Sequence, residues 1–200
     1  MISANKKDLR NVELFTLSFL LVAAYFAFTQ QNWEFVYYIV VVVLLAGLAI
    51  IVHSRVGFTK GLLWSLSLWA LMHMVGGLMP VPTGWPIEGD KAVFYSWWIV
   101  PHLLKYDHLA HAYGFGIATW ACWQAVRKIT CCTKPTAGLL LISVLVGMGL
   151  GSFNEVVEFF AVLLIPQTNV GGYVNTGWDL VSNMVGAVIA AMLIWVFREK

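Results

Sequence analysis

The stretch Val36–His53, VYYIVVVVLLAGLAIIVH, decides the class of this protein. It holds no Asp, Glu, Lys or Arg over 18 residues, close to the roughly 20 apolar residues that a helix needs to cross a hydrocarbon core about 30 Å thick. Working outward from it, five further apolar runs appear, so that the six candidate spans are 12–29, 36–53, 60–80, 107–126, 137–165 and 176–197. Charged residues are 11% of the chain and mean hydropathy is +0.79. A soluble domain carries about a quarter charged residues, so this is membrane composition, and the short connections leave no room for a separate soluble domain. The expected fold is a single all-α bundle of six transmembrane helices spanning residues 1–200.

The opening MISANKKDLR has the charge of a signal peptide, yet no small-residue cleavage site follows it, so the first run reads as a retained helix. Lys and Arg resist translocation and therefore report sidedness. Lys6, Lys7, Arg10, Arg55, Lys60, Arg127, Lys128, Lys134, Arg198 and Lys200 fall at one end of the bundle, and only Lys91 and Lys105 at the other. Ten against two is a strong bias and predicts that both termini are cytoplasmic. Cys122, Cys131 and Cys132 cluster near one cytoplasmic connection and read as reduced thiols. No basic patch interleaved with aromatics suggests nucleic acid; the expected partners are membrane lipid and a lipid or lipid-linked substrate. Between the third and fourth spans, KAVFYSWWIVPHLL (91–104), about 14 apolar residues bracketed by prolines, is too short to cross. It reads as an interfacial or re-entrant segment with Trp97 and Trp98 near headgroup depth, or equally as an aromatic-rich loop.

Against this background KYDHLAHAYGFG (105–116) is anomalous, because it places Asp107, His108 and His111 inside an oily chain. The orientation brings other polar residues to the same depth: His73 on the third helix, Asn154, Glu155 and Glu158 on the fifth, and Asp179 and Asn183 on the sixth. Residues three or four apart share a helix face, so Asp107 with His111, Glu155 with Glu158, and Asp179 with Asn183 are pairs. Each pair shares its face with small residues such as Gly114, Gly147, Gly151 and Gly186, the faces that meet other membrane helices. A carboxylate in the membrane costs at least ~2.5–3.5 kcal/mol, and no Lys or Arg within the spans offsets these four. Protonation, histidine or a bound cation must do so.

The expectation is a divalent metal ion, zinc, manganese or iron, held by His111, Glu155, Glu158 and Asp179, with Glu155 or Asp107 serving as the catalytic base. His73, His108, Asn154 and Asn183 are expected to support the ligands rather than bind the ion. A metal-dependent enzyme is the first reading. A proton- or cation-coupled transporter, or a structural membrane subunit, uses the same residues and stays open.

Three segments together, YDHLAHAYGFG, GSFNEVVEFF and GWDLVSNMVGAVIAAML, resemble the YjdF-like bacterial inner-membrane proteins, whose pattern Asp107, His111, Glu155, Glu158 and Asp179 match. Asn183 stands where that pattern has a second aspartate. In that departure the chain is similar to the VanZ-like family, whose pattern Asp107, His111, Glu155, Asp179, Asn183 and Gly186 fit. The resemblance covers roughly residues 70–195 and implies a multi-helix protein of a bacterial or archaeal cytoplasmic membrane with a link to the cell envelope, without fixing a reaction.

Overall fold

In the computed structural model, residues 3–132 and 134–197 are described; the expected cytoplasmic charges Arg198 and Lys200 lie outside them. Six long helices form the bundle: α1 (Lys6–Thr29), α2 (Trp33–Val56), α3 (Lys60–Leu78), α4 (Tyr106–Thr130), α5 (Ala137–Leu164) and α6 (Tyr173–Val196). The chain is thus an all-α membrane-type bundle. Five of these helices are long and apolar enough to cross a membrane. The exception is α4, whose 25 residues are ample in length but include Asp107, His108, His111, Gln124, Arg127 and Lys128.

Polar caps rather than hydropathy set where the helices begin. Asn5 and Asp8 close a reciprocal capping box at the start of α1, and the side chains of Asn32, Thr59 and Thr136 accept backbone N–H groups at the starts of α2, α3 and α5. Accordingly α1 and α2 begin at Lys6 and Trp33, earlier than the apolar runs at 12 and 36; α6 also begins early, at Tyr173 rather than 176, but after Gly172 and without a side-chain cap. At the other end of α3, Pro80 follows the last turn, which closes at Leu78.

The helices alternate in direction. At one end Ala4 donates its N–H to Phe58, Lys60 pairs with Asp8 at 3.0 Å, and Gln124 exchanges hydrogen bonds with Thr59. The three cysteines lie toward this end without a disulfide. The opposite end is capped by the connections 79–105 and 165–172. The first of these folds into a 3₁₀ turn (Phe94–Ser96) and a small antiparallel pair, β1 (Trp98–Val100) with β2 (Leu104–Lys105), turning where His102 takes φ +59°. The short strands have no counterpart in the sequence reading, because two- and three-residue strands show no periodicity.

Packing inverts the soluble pattern. Leu21, Leu44 and Leu163 point outward, Leu44 with 68% of its surface exposed, while Thr119, Ser143, Asp179 and Asn183 are buried. Helix α4 makes its most extensive contact with α6, and both pack on α5. A cluster from α1, α2, α3 and α5, including Phe35, Tyr38 and Met74, fills the capped end; Val12, Phe58, Leu62, Leu63 and Ile117 fill the other.

Candidate metal centre

The close approach of α4, α5 and α6 is a consequence of glycine. A Cβ on Gly186 would overlap the carbonyl of Ala112, and one on Gly116 would lie 3.0 Å from the carbonyl oxygen of Gly186, so α4 and α6 cross backbone to backbone. On α5, Gly147 receives Thr119 and Gly151 receives Asn183, whose Nδ2 would be 2.6 Å from an added Cβ. These contacts bring three polar faces together in the half of the bundle nearer the cap.

His111 is the hub. It is 7% exposed, and four carboxylates from three helices approach its ring. Asp107 Oδ1 lies 3.6 Å, Glu158 Oε1 3.9 Å and Asp179 Oδ1 4.0 Å from Nε2, and Glu155 Oε1 lies 3.7 Å from Nδ1. Asn183 Oδ1 is 3.0 Å from Nδ1. Two triads that share His111 offer one donor atom per residue within 4.8 Å of one another: Asp107, His111 and Asp179, and His111, Glu155 and Glu158. Neighbouring donors on one cation stand about 3–3.4 Å apart for bonds of ~2.1 Å, so closing either triad takes side-chain movements of up to about an ångström. The donor set, four carboxylates and one imidazole, is one that could hold a metal ion.

Hydrogen bonds satisfy only part of the cluster. Asn154 Nδ2 donates to Glu158 Oε1 at 2.8 Å, and Asn175 Nδ2 donates to Asp179 Oδ2 at 2.6 Å and to Asp107 Oδ2 at 3.4 Å. Lys105 Nζ is 3.9 Å from Asp107 Oδ2. Both oxygens of Glu155 and Oδ1 of Asp179 are buried without a hydrogen-bond partner among the described residues. Unpartnered acceptors of this kind are costly in a low-dielectric interior and are the groups that a cation satisfies.

The supporting residues separate by position. Asn154 and Asn183 touch Glu158 and His111 directly. His73 Nδ1 is instead hydrogen-bonded to the Tyr95 hydroxyl, with its ring among Phe35, Tyr38 and Trp69. Burial and, secondarily, the Asp107 carboxylate push the Tyr95 phenol well above its ordinary value, so its hydroxyl stays protonated. The His108 ring lies between Trp98 and Trp178, and its Nδ1 accepts the Lys105 N–H at 3.3 Å.

A cavity of about 580 Å³ opens at the capped end and reaches Asp107, Glu158 and His73. Its wall also carries residues absent from the sequence reading of the site. Glu34, at the start of α2, accepts the Asn169 N–H at 2.8 Å and pairs with Lys91 at 3.5 Å, tying the two capping connections together. Asn175 joins Lys105, Asp107 and Asp179; its four-residue spacing from Asp179 was the signal that could have found it.

No curated protein and no solved structure matches the chain. A family model does match, over residues 11–200, and its description is a predicted membrane protein, DUF2238. That match takes in α2 to α6, most of α1 and every residue of the cluster, and the chain belongs to this membrane-protein family.

Proposed function

We propose that the protein is a metal-dependent enzyme of a bacterial or archaeal cytoplasmic membrane, acting on a lipid or lipid-linked envelope substrate. The observation that carries this reading is the set of unpartnered buried acceptors, both Glu155 oxygens and Asp179 Oδ1, beside an imidazole approached by four carboxylates. His111, Glu155, Glu158 and Asp179 are the ligands of a divalent zinc, manganese or iron ion. Such an ion polarises a substrate oxygen and lowers the pKa of a water molecule that it binds.

The chain's own residues supply orientation and proton transfer. Asn183 holds the His111 ring through Nδ1 and directs Nε2 toward Asp107, Glu158 and Asp179. Asp107 faces both the cluster and the cavity and is placed to take a proton from a group entering there. Glu155 has two unpartnered oxygens, so one can ligate while the other accepts a proton.

The ten-against-two distribution of Lys and Arg supports a placement in which all six helices cross, both termini are cytoplasmic and the cavity opens on the opposite face. There the connection 79–105, with Trp97 and Trp98, lies at the membrane surface. The YjdF-like and VanZ-like likeness and the cell-envelope setting belong to the same reading.

Protein in nanodiscs containing a bacterial lipid extract provides the test, after chelation and after return of zinc, manganese or iron, with products followed by mass spectrometry. Metal-dependent conversion of one lipid class, abolished by Glu155→Gln, is expected. Conversion that is indifferent to chelation, or no conversion with any of the three metals, contradicts the proposal.

A further inference from the structure

Two hydrogen-bond donors on the cavity wall have no role in holding a cation. Lys105 is 6% exposed, and its ammonium is hydrogen-bonded to Asn175 Oδ1, 3.2 Å from Glu88 Oε2, 3.9 Å from Asp107 Oδ2 and 5.7 Å from the centroid of the Trp98 ring. His108 is equally buried. Its Nδ1 accepts the Lys105 N–H, so in the neutral ring the proton sits on Nε2, and Nε2 is buried without a hydrogen-bond partner among the described residues. A buried N–H with no acceptor is a donor that a ligand can satisfy.

Glu88 is the opposite kind of group. Its side chain is 57% exposed, on the connection between α3 and α4, yet it pairs with the buried ammonium. An exposed carboxylate gains little from such a pair and loses little on leaving it. The same cavity is bordered by Asp107 and Glu158 of the cluster, and its volume of about 580 Å³ falls in the usual range of small-molecule sites, roughly 300–1,000 Å³.

We propose that this cavity binds a phosphate group of the substrate, with Lys105 Nζ and His108 Nε2–H as donors, and that Glu88 occupies the Lys105 ammonium until the phosphate displaces it. The inference deepens the reading of the His111 cluster as a catalytic centre and rests on it for calling the ligand a substrate. A phosphate offers several acceptor oxygens, enough for both donors at once, and a cation at the cluster would offset the carboxylates that otherwise repel it. The phosphate reaches the site either as a lipid headgroup or as a free ion.

Full-length wild type, Lys105→Gln and Glu88→Gln are compared in detergent with inorganic phosphate, and in nanodiscs with phosphatidic acid; metal content and thermal transition are measured on each sample. The expected result is phosphate binding that Lys105→Gln weakens at least tenfold and that Glu88→Gln tightens severalfold, with metal content unchanged. A preference for phosphatidic acid identifies a headgroup site, and a response to inorganic phosphate alone identifies a free-ion site. Phosphate binding through Lys105 in metal-free protein supports the anion site while overturning the metal reading. No phosphate binding, or equal binding by wild type and folded Lys105→Gln, overturns the anion site and leaves the metal reading standing. Because Glu88 is exposed, Glu88→Gln should fold, and failure of that variant to tighten binding overturns its role as a displaceable partner.

Discussion

Asn183 Oδ1 stands 3.0 Å from His111 Nδ1, linking α6 to α4 at the centre of the carboxylate cluster. A carboxamide oxygen can only accept, so Nδ1 carries a proton, and Nε2 faces Asp107, Glu158 and Asp179, where its lone pair would meet a bound cation. Removing such an orienting partner typically costs 10–100-fold in metal affinity. Asn183→Ala is therefore expected to weaken cation binding by about that factor in chelator-competition titrations. Asn183→Asp keeps an acceptor in place and should remain within several-fold of wild type. Equal affinity for Asn183→Ala and wild type contradicts the orienting role.

Gly151→Ala tests the same contact from α5. The new methyl would lie 2.6 Å from Asn183 Nδ2 and 2.8 Å from its Cγ, and Asn183 is fully buried with nowhere to retreat. Overpacking of this kind costs about 1–3 kcal/mol. A lowered thermal transition with weakened cation binding is expected. Gly149→Ala, whose Cβ would meet nothing within 4 Å, is the control and should match or slightly exceed wild-type stability.

Gly186→Ala addresses the crossing of α4 and α6. Its Cβ would overlap the Ala112 carbonyl, a backbone atom that cannot rotate away, so the helices must separate. Loss of folded protein in detergent, or a transition lowered more than by Gly151→Ala, is the expected outcome. A Gly186→Ala protein of wild-type stability would show that the two helices do not meet backbone to backbone.

Glu34→Gln probes the cap separately from the centre. Glu34 is 3% exposed, accepts the Asn169 N–H and pairs with Lys91, yet it belongs to neither donor triad. The variant should expose residues 165–172 to faster hydrogen exchange while leaving metal content equal to that of the wild type. Unchanged exchange there contradicts the tie between the two connections.

The cluster was legible in the sequence because lipid makes buried charge expensive, so Asp107, Glu155, Glu158 and Asp179 stand out wherever they occur within a span. Helical spacing then pairs Asp107 with His111 and Asp179 with Asn183, and the glycines mark the faces that meet. What escaped lies at helix starts. Hydropathy begins the second and sixth spans at 36 and 176, whereas the helices start at Trp33 and Tyr173, so Glu34 and Asn175 fall outside the apolar runs although they lie in the first turns. Capping by Asn32 sets the start of α2, and a window that averages apolarity does not register it. The arrangement of the 79–105 cap was illegible for another reason: its short strands are held by contacts distant in sequence such as Trp98 N–H to Pro86 O at 2.9 Å, not by local pattern.

Metal content decides the central question. Gently purified wild type and a Glu155→Ala/Asp179→Ala double variant, each shown to be folded by its thermal transition, are analysed for zinc, manganese and iron. A catalytic metal centre on His111 requires near-stoichiometric metal in the wild type and its loss from the folded double variant. Equal metal in both, or none in a wild type that stays metal-free after incubation with each ion, contradicts it and leaves the cluster as a proton-holding or structural core of the bundle.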